Sequence, residues 1–347
     1  MKHYLGIQSL RALGALLVVI FHATNAVRDR IDASAWQFDS GAAGVDLFFI
    51  ISGFIMIVAT EPLWSTGGGG HRAAWQFLSR RIIRVVPLYW LATSLKLIMV
   101  LLLPAAALNA IGVWHTISSY LFIPAWNAKG ENFPLLVPGW TLSFEMFFYL
   151  WFALILLLRR HPVYWLTPLF TVFVLYHSVF KPFDAAPMTL LNQHLLEFCL
   201  GMWIGLAACK ERLLPAAIAR PLAVMSIIVL LSIHSLAGDA IDHLPLLMWG
   251  VPSALLIYAV ISLEDASAFW RHPLFQTLGD ASYAIYLFHP FIVFVLAKML
   301  LKFNPSTEAA LIVIIPLSLL LSSVAGVIIH RMVERPMTHY LRLRVKP

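Results

Sequence analysis

The chain has 347 residues, of which 61% are hydrophobic and only 12% charged, and its mean hydropathy is +0.83, a balance that excludes a soluble globular protein. The net charge of +7 does not point to nucleic acid, because the basic residues sit in short segments between apolar runs, where they act as topology signals. The two cysteines, Cys199 and Cys209, fit neither a zinc-ligand spacing nor a disulfide framework, and no metal is expected.

A membrane crossing needs roughly 20 mostly apolar residues, and only helices or closed barrels satisfy their backbone groups in hydrocarbon. The apolar runs here are continuous rather than alternating, so they predict helices. In chain order the spans fall near 5–27, 45–60, 83–103, 140–158, 163–180, 191–208, 221–236, 246–263, 281–301 and 309–330. The fold class is therefore all-α, a polytopic transmembrane helical bundle of about ten spans, with one membrane domain filling residues 1–347. The N-terminus weakly resembles a signal peptide, but the spans that follow favour an uncleaved first helix. The stretch 111–126 is too short and interrupted for a span and is expected to be a re-entrant or interfacial segment. The run Gly67 to Gly70 reads as a flexible linker, since a phosphate cradle would require a preceding strand.

Ionisable groups inside a span cost about 2.5–3.5 kcal/mol at a helix centre and are functional candidates by default. Here they are Arg11, His22, Asp46, Glu145, His194, Glu197 and His289. Arg11 and His22 share one face of the first helix, roughly 16 Å apart at 1.5 Å per residue. Measured from the expected helix ends, His22, Asp46, Glu145 and Glu197 converge in the outer half, as a general base with an orienting carboxylate requires. Each also has a plain structural role available, a helix-to-helix hydrogen bond or a favourable helix-dipole position. At the inner mouth, Arg80, Arg81 and Arg84 open the third span, with Arg11 slightly deeper. Such guanidinium groups anchor topology and lipid headgroups, and they also bind phosphates bidentately. Ser52, in IISGF, has no base adjacent in sequence, and its Ser-Gly pair reads as a close-packing element rather than a nucleophile. A transporter or flippase for a glycan or lipid-linked sugar is the rival class, but no inverted repeat is visible.

Six stretches lie in order along nearly the whole chain: IQSLRALGALLVVIFHA, GAAGVDLFFIISGFIM, RRIIRVVPLYW, WTLSFEMFFYL, LGDASYAIYLFHPFI and VERP. Together they resemble acyltransferase family 3, the membrane O-acyltransferases that modify bacterial polysaccharides and related glycans. The resemblance implies a bacterial cytoplasmic-membrane enzyme that moves an acyl group, acetyl first among them, from acyl-CoA to a sugar hydroxyl. It implies His22 as the base, Arg81 and Arg84 as contacts to the CoA phosphates, and Arg11 and Glu145 as supporting site residues; the shared depth adds Glu145 or Asp46 as the partner of His22, and Arg11 is placed with the donor-binding arginines. The implied partners are a glycan or lipid-linked saccharide acceptor, the bilayer and polysaccharide assembly proteins, with no nucleic acid. Some relatives carry a fused esterase-like domain, which is absent from this sequence.

With the N-terminus inside, sixteen Lys and Arg residues fall in inner segments and five in outer ones, so both termini are predicted to be cytoplasmic. Reporter fusions placed after Lys129 and after Lys346 are expected to report opposite sides of the membrane; the same side from both would end the ten-span arrangement.

Overall fold

The computed structural model describes residues 4–65, 68–102, 112–180, 186–237, 244–266 and 269–344. Twelve helices follow one another: α1 Leu5–Arg30, α2 Ala43–Ser65, α3 His71–Leu102, α4 Val113–Tyr120, α5 Gly139–Leu157, α6 Pro162–Phe180, α7 His194–Cys209, α8 Ala216–Ala237, α9 Val251–Ser262, α10 Pro273–Leu301, α11 Thr307–Ile329 and α12 Arg335–Arg344. Among the described residues there is no strand, and the chain is a polytopic helical bundle. Each of the ten expected spans meets a helix. Eight helices (α1, α2, α3, α5, α6, α8, α10 and α11) are long and apolar enough to cross a membrane. The two short ones, α7 and α9, are packed deep in the bundle and are largely apolar apart from His194 and Glu197 in the first turn of α7.

Two helices begin well before their apolar runs: α3 starts at His71 rather than near 83, and α10 at Pro273 rather than near 281. Hydropathy sees only the part of a helix that lies in hydrocarbon, and these extensions carry polar and basic residues that belong outside it. In the expected interfacial stretch, α4 exposes Val113, Trp114 and Ile117 and buries His115, Ser118 and Ser119. Tyr89 donates to the Ser119 carbonyl at 2.9 Å, and the Ser119 hydroxyl accepts from the Leu135 N–H at 2.9 Å, so the whole segment is tied to α3. Gly67, part of the expected linker, lies outside the described residues. Gly70, at φ +92°, donates its N–H to the Leu156 carbonyl at 2.8 Å, so this end of the glycine run is anchored to α5.

The most extensive helix contact joins α2 to α7, with α1 against α10 and α10 against α11 next. The α2–α7 approach is backbone to backbone: a Cβ on Gly53 would collide with the Phe198 carbonyl, and one on Gly201 with the Ile50 carbonyl. Between membrane helices there is no hydrophobic drive toward association, so close backbone packing through small residues supplies it. Beyond the membrane helices, Asp32 accepts from the Thr307 hydroxyl at 2.6 Å and from the Ser34 N–H and hydroxyl, pinning the α1–α2 loop to the start of α11. Those hydrogen bonds hold its carboxyl at about 2, below the usual carboxylate range.

Gly201→Ala is expected to cost about 1–3 kcal/mol, as overpacking does, because a backbone carbonyl cannot move aside. Gly205→Ala, whose added methyl would meet Ile57 Cβ and the Phe54 carbonyl at 3.0 Å, is expected to cost less. Thermal unfolding in detergent ranks the two, and equal midpoints would contradict the α2–α7 packing.

Candidate functional site

A narrow space of about 730 Å³, its open mouth included, lies between α1, α2, α3, α5 and α10. Its α2 wall is made by Val45, Phe48, Phe49, Ile51, Ser52, Ile55 and Met56, all but Ile51 following the i, i+3, i+4, i+7 spacing of one helical face. Its polar groups are few and convergent: Arg11 from α1, Arg84 from α3, Glu145 and Tyr149 from α5, Tyr283 and Tyr286 from α10. Glu145 Oε1 accepts from the Ser52 hydroxyl at 3.0 Å and from the Tyr149 hydroxyl, with Tyr149 one helical turn further along α5. Tyr286 and Thr141 close the far end, their hydroxyls 2.9 Å apart. An apolar channel with a handful of placed polar groups suits a slender ligand that is charged at one end.

Arg11 and Arg84 also line a second, larger space of about 1510 Å³ that includes its open mouth. The other walls of this vestibule carry Asp280, His330, Arg331, Glu334, Arg335 and Arg342. The chain between α11 and α12 forms a π turn, His330–Glu334, in which the His330 ring lies 2.8 Å from Glu334 Oε2. Four arginines and Arg11 around one mouth favour a polyanion, and the fork geometry of guanidinium matches phosphate. Vestibule and channel adjoin at the two arginines that line both.

Arg81 does not line either space. Its guanidinium stands 5.8 Å from the Phe77 ring centroid, its Nε is buried with no hydrogen-bond partner among the described residues, and it lies in electrostatic reach of Tyr149, Arg84 and Glu145. Of the two arginines grouped together in the sequence, Arg84 faces the channel and Arg81 stands behind its wall.

His22 is placed against another histidine. Its ring centroid is 5.0 Å from that of His289, which is fully buried on α10. His289 Nδ1 lies 2.7 Å from the Tyr286 carbonyl, which can only accept, so Nδ1 carries the hydrogen and Nε2 a lone pair. That Nε2 is buried and unpartnered among the described residues. Because Tyr286 closes the channel and its ring lies 6.0 Å from His289, the histidine pair stands just past the channel's end.

The expectation that Glu145 and Asp46 stand beside His22 is corrected. Depth was counted from helix ends assumed to lie at the membrane surface, but α2 and α5 start inside the bundle. Gly44, at the start of α2, packs against Gly14, eight residues and roughly 12 Å short of His22 on α1. The Pro138 carbonyl, at the start of α5, accepts from Tyr286, and Glu145 lies about two turns beyond it, level with Arg11 and Arg84. Asp46 faces α7 instead, where one ligand atom each from Asp46, His194 and Glu197 lie within 4.8 Å of one another. Ser52, set aside for want of an adjacent base, has one in space: Glu145.

The family model described as an acyltransferase domain matches residues 4–331. This chain belongs to acyltransferase family 3. It is 34% identical over 335 residues to the exopolysaccharide production protein ExoZ of Rhizobium meliloti strain 1021, covering 94% of this chain and 96% of that protein. It is 24% identical over 335 residues to the acyltransferase MdmB of Streptomyces mycarofaciens, covering 88% of this chain and 82% of the relative. No solved structure matches. The chain is thus a multi-pass membrane acyltransferase, and family membership sets the transporter reading aside.

The sequence marked His289 as an ionisable group within a span without giving its partner, and spacing along the chain did not reveal the places of Tyr149, Tyr286 or the arginines of α12. Ser52→Ala is expected to keep acyl transfer within about tenfold of wild type while costing about 0.5–1.5 kcal/mol, the net worth of one hydrogen bond. A transfer assay beside thermal unfolding checks both, and near-total loss of transfer in a folded variant would make Ser52 the nucleophile.

Proposed function

We propose that this chain is an O-acyltransferase of the bacterial cytoplasmic membrane, with both termini inside, that moves an acyl group, acetyl in the first instance, from acyl-CoA to a hydroxyl of an exopolysaccharide or cell-envelope sugar. The observation that carries the reading is a basic vestibule that shares Arg11 and Arg84 with a mostly apolar channel, with the His22–His289 pair behind the channel's Tyr286. A CoA donor has the matching shape: a polyanionic nucleotide on a thin, largely uncharged arm that ends in the thioester. Arg84, Arg335 and Arg342 take the phosphates, Arg11 stands where the arm enters the channel, and the thioester reaches the Tyr286 end. The acceptor arrives from the opposite side of the membrane, as a glycan or lipid-linked saccharide handed on by polysaccharide assembly proteins. The relative named for exopolysaccharide production supports that acceptor class.

In the chemical step the His22 ring turns so that one N–H donates to His289 Nε2, a bond the two rings do not make in the resting structure, leaving the other imidazole nitrogen free to take the acceptor's proton. The hydroxyl oxygen then forms its bond to the acyl carbon as the carbon–sulfur bond breaks. The CoA thiolate leaves, and the imidazolium returns the proton to it. His289 takes the orienting role that a carboxylate plays in other bases, held in turn by the Tyr286 carbonyl. Glu145 sets the channel's electrostatics beside Arg11 and Arg84 rather than orienting the base.

A second reading, two-step transfer through an acyl-Ser52, has the 3.0 Å contact of Ser52 with Glu145 in its favour. Its signature is labelled acyl group retained on the protein before acceptor is added.

Purified wild-type protein given labelled acetyl-CoA and bacterial exopolysaccharide is expected to put label into the glycan. His22→Gln is expected to bind acyl-CoA normally and to transfer about 10² to 10⁴ more slowly, the usual cost of losing a general base. No label in any glycan would overturn the function, and a His22→Gln rate within a few-fold of wild type would overturn the role of the histidine.

A further inference from the structure

We infer that Asp46, His194 and Glu197 form a divalent-metal site that takes Zn²⁺, on the side of α2 turned away from the transfer channel. The helical period assigns the two faces of α2. Val45, Phe48, Phe49 and Ser52 turn to the channel, while Asp46, Ile50, Gly53 and Ile57 turn to α7, whose backbone meets them at the glycine contacts described above. On α7, His194 and Glu197 occupy the first turn at i, i+3 and share a face. The closest helix pair in the bundle therefore carries three metal-ligand side chains at one end of its seam, with one donor atom from each within 4.8 Å of the others.

The charge arrangement calls for a cation. Asp46 is 4% exposed and Glu197 fully buried, and Asp46 Oδ1 and Glu197 Oε2 are both without a hydrogen-bond partner among the described residues. Ionised carboxylates only accept, so Asp46 and Glu197, which lie within hydrogen-bonding reach of each other, satisfy one another only by sharing a proton. Among the described residues no Lys or Arg pairs with either acid, and the single basic neighbour is His194, whose Nδ1 lies 2.9 Å from Glu197 Oε1. One shared proton bridges one pair of oxygens, whereas a metal ion draws a lone pair from all three side chains and cancels both negative charges. Both acids also sit in the first turn of their helices, where the helix dipole favours the ionised form that a metal needs.

The donor set selects the ion. One imidazole nitrogen and two carboxylate oxygens suit Zn²⁺ or Mn²⁺; Cu(I) needs sulfur, and Mg²⁺ prefers oxygen alone. Three protein ligands leave zinc's fourth tetrahedral position to water. The His194 side chain is 20% exposed while Glu197 is sealed, so the ion enters past the histidine. Phe49, Trp140 and Phe144 pack around the His194 ring at 5.3, 5.6 and 5.6 Å, and Phe49 also lines the channel, so one aromatic wall separates the two sites. The ion would tie α2 to α7, hold that wall in place, and require nothing of the acyl donor.

The test uses the full chain purified without a polyhistidine tag. Mass-spectrometric metal analysis is expected to find about one zinc per chain in wild type and its loss in Asp46→Asn, Glu197→Gln and His194→Gln. Chelator-treated wild type is expected to regain thermal stability on titration with Zn²⁺, with each variant weakened by at least about tenfold in zinc affinity. Circular dichroism and size-exclusion elution show that the near-isosteric variants still fold, and Glu145→Gln, in the channel, serves as a control that keeps its zinc. Zinc retained equally by all variants would place the ion elsewhere, and preference for Mn²⁺ over Zn²⁺ would overturn the choice of ion. Absence of zinc with no thermal response would leave the three groups sharing a proton and overturn the site.

Discussion

A guanidinium in the middle of an apolar helix must be met by something polar, and the position of Arg11 on α1 sets the design of the inner half of this bundle. A charge in hydrocarbon is tolerated when it faces the bundle interior or a water-filled space, and Arg11 does both, lining the channel on one side and the vestibule on the other. Arg84 repeats the arrangement from α3. Glu145 balances the two from α5, and is itself held by Ser52 and Tyr149. The strip so formed carries the charged groups of the channel wall; Thr141, Ser282, Tyr283 and Tyr286 add neutral hydroxyls, and Phe48, Phe49, Ile55 and Met56 are apolar. The electrostatics of entry follow from these few charged side chains.

The vestibule depends on helices that outrun the membrane. The whole of α12 lies beyond the apolar runs, and its Arg335, His339 and Arg342 line the mouth together with Asp280 from the early turns of α10. A π turn at the α11–α12 junction puts His330, Arg331 and Glu334 on the vestibule side, the kind of local irregularity that helices show at functional sites. A long-range field from several arginines concentrates anions before any specific contact forms, and the fork geometry of Arg84 then selects phosphate.

One helix, α2, serves two environments at once. Adjacent residues Ser52 and Gly53 point to different neighbours, Ser52 to Glu145 in the channel and Gly53 to the α7 backbone. The tight α2–α7 seam makes the channel wall rigid. Because the backbones touch, α2 cannot slide without carrying Phe49 and Ser52 with it, and close-packed interfaces of this kind switch rather than deform. The Asp46–His194–Glu197 cluster lies at the end of that seam, where it restrains both helices.

The helical class, the order of the apolar helices and the family were legible from the chain, since hydrocarbon thickness imposes a length on every span and six short motifs carried the family resemblance. The candidate residues Arg11, His22, Asp46, Glu145 and Arg84 were legible too, because charge in an apolar run stands out. Even the α2–α7 contact had a signal in Gly201-Met-Trp-Ile-Gly205, the small-xxx-small pattern of close helix packing. Tertiary structure alone decided which of these residues meet. Counting along a helix gives depth only if the helix starts at the membrane surface, and α2 and α5 start inside the bundle. Glu145 consequently lies with the arginines, Asp46 with Glu197, and His22 with a histidine more than two hundred and fifty residues away on α10. Which face a side chain presents follows from the 3.6-residue period, but what stands opposite is set by where each helix begins and which neighbour it packs against, and neither is written in a single span.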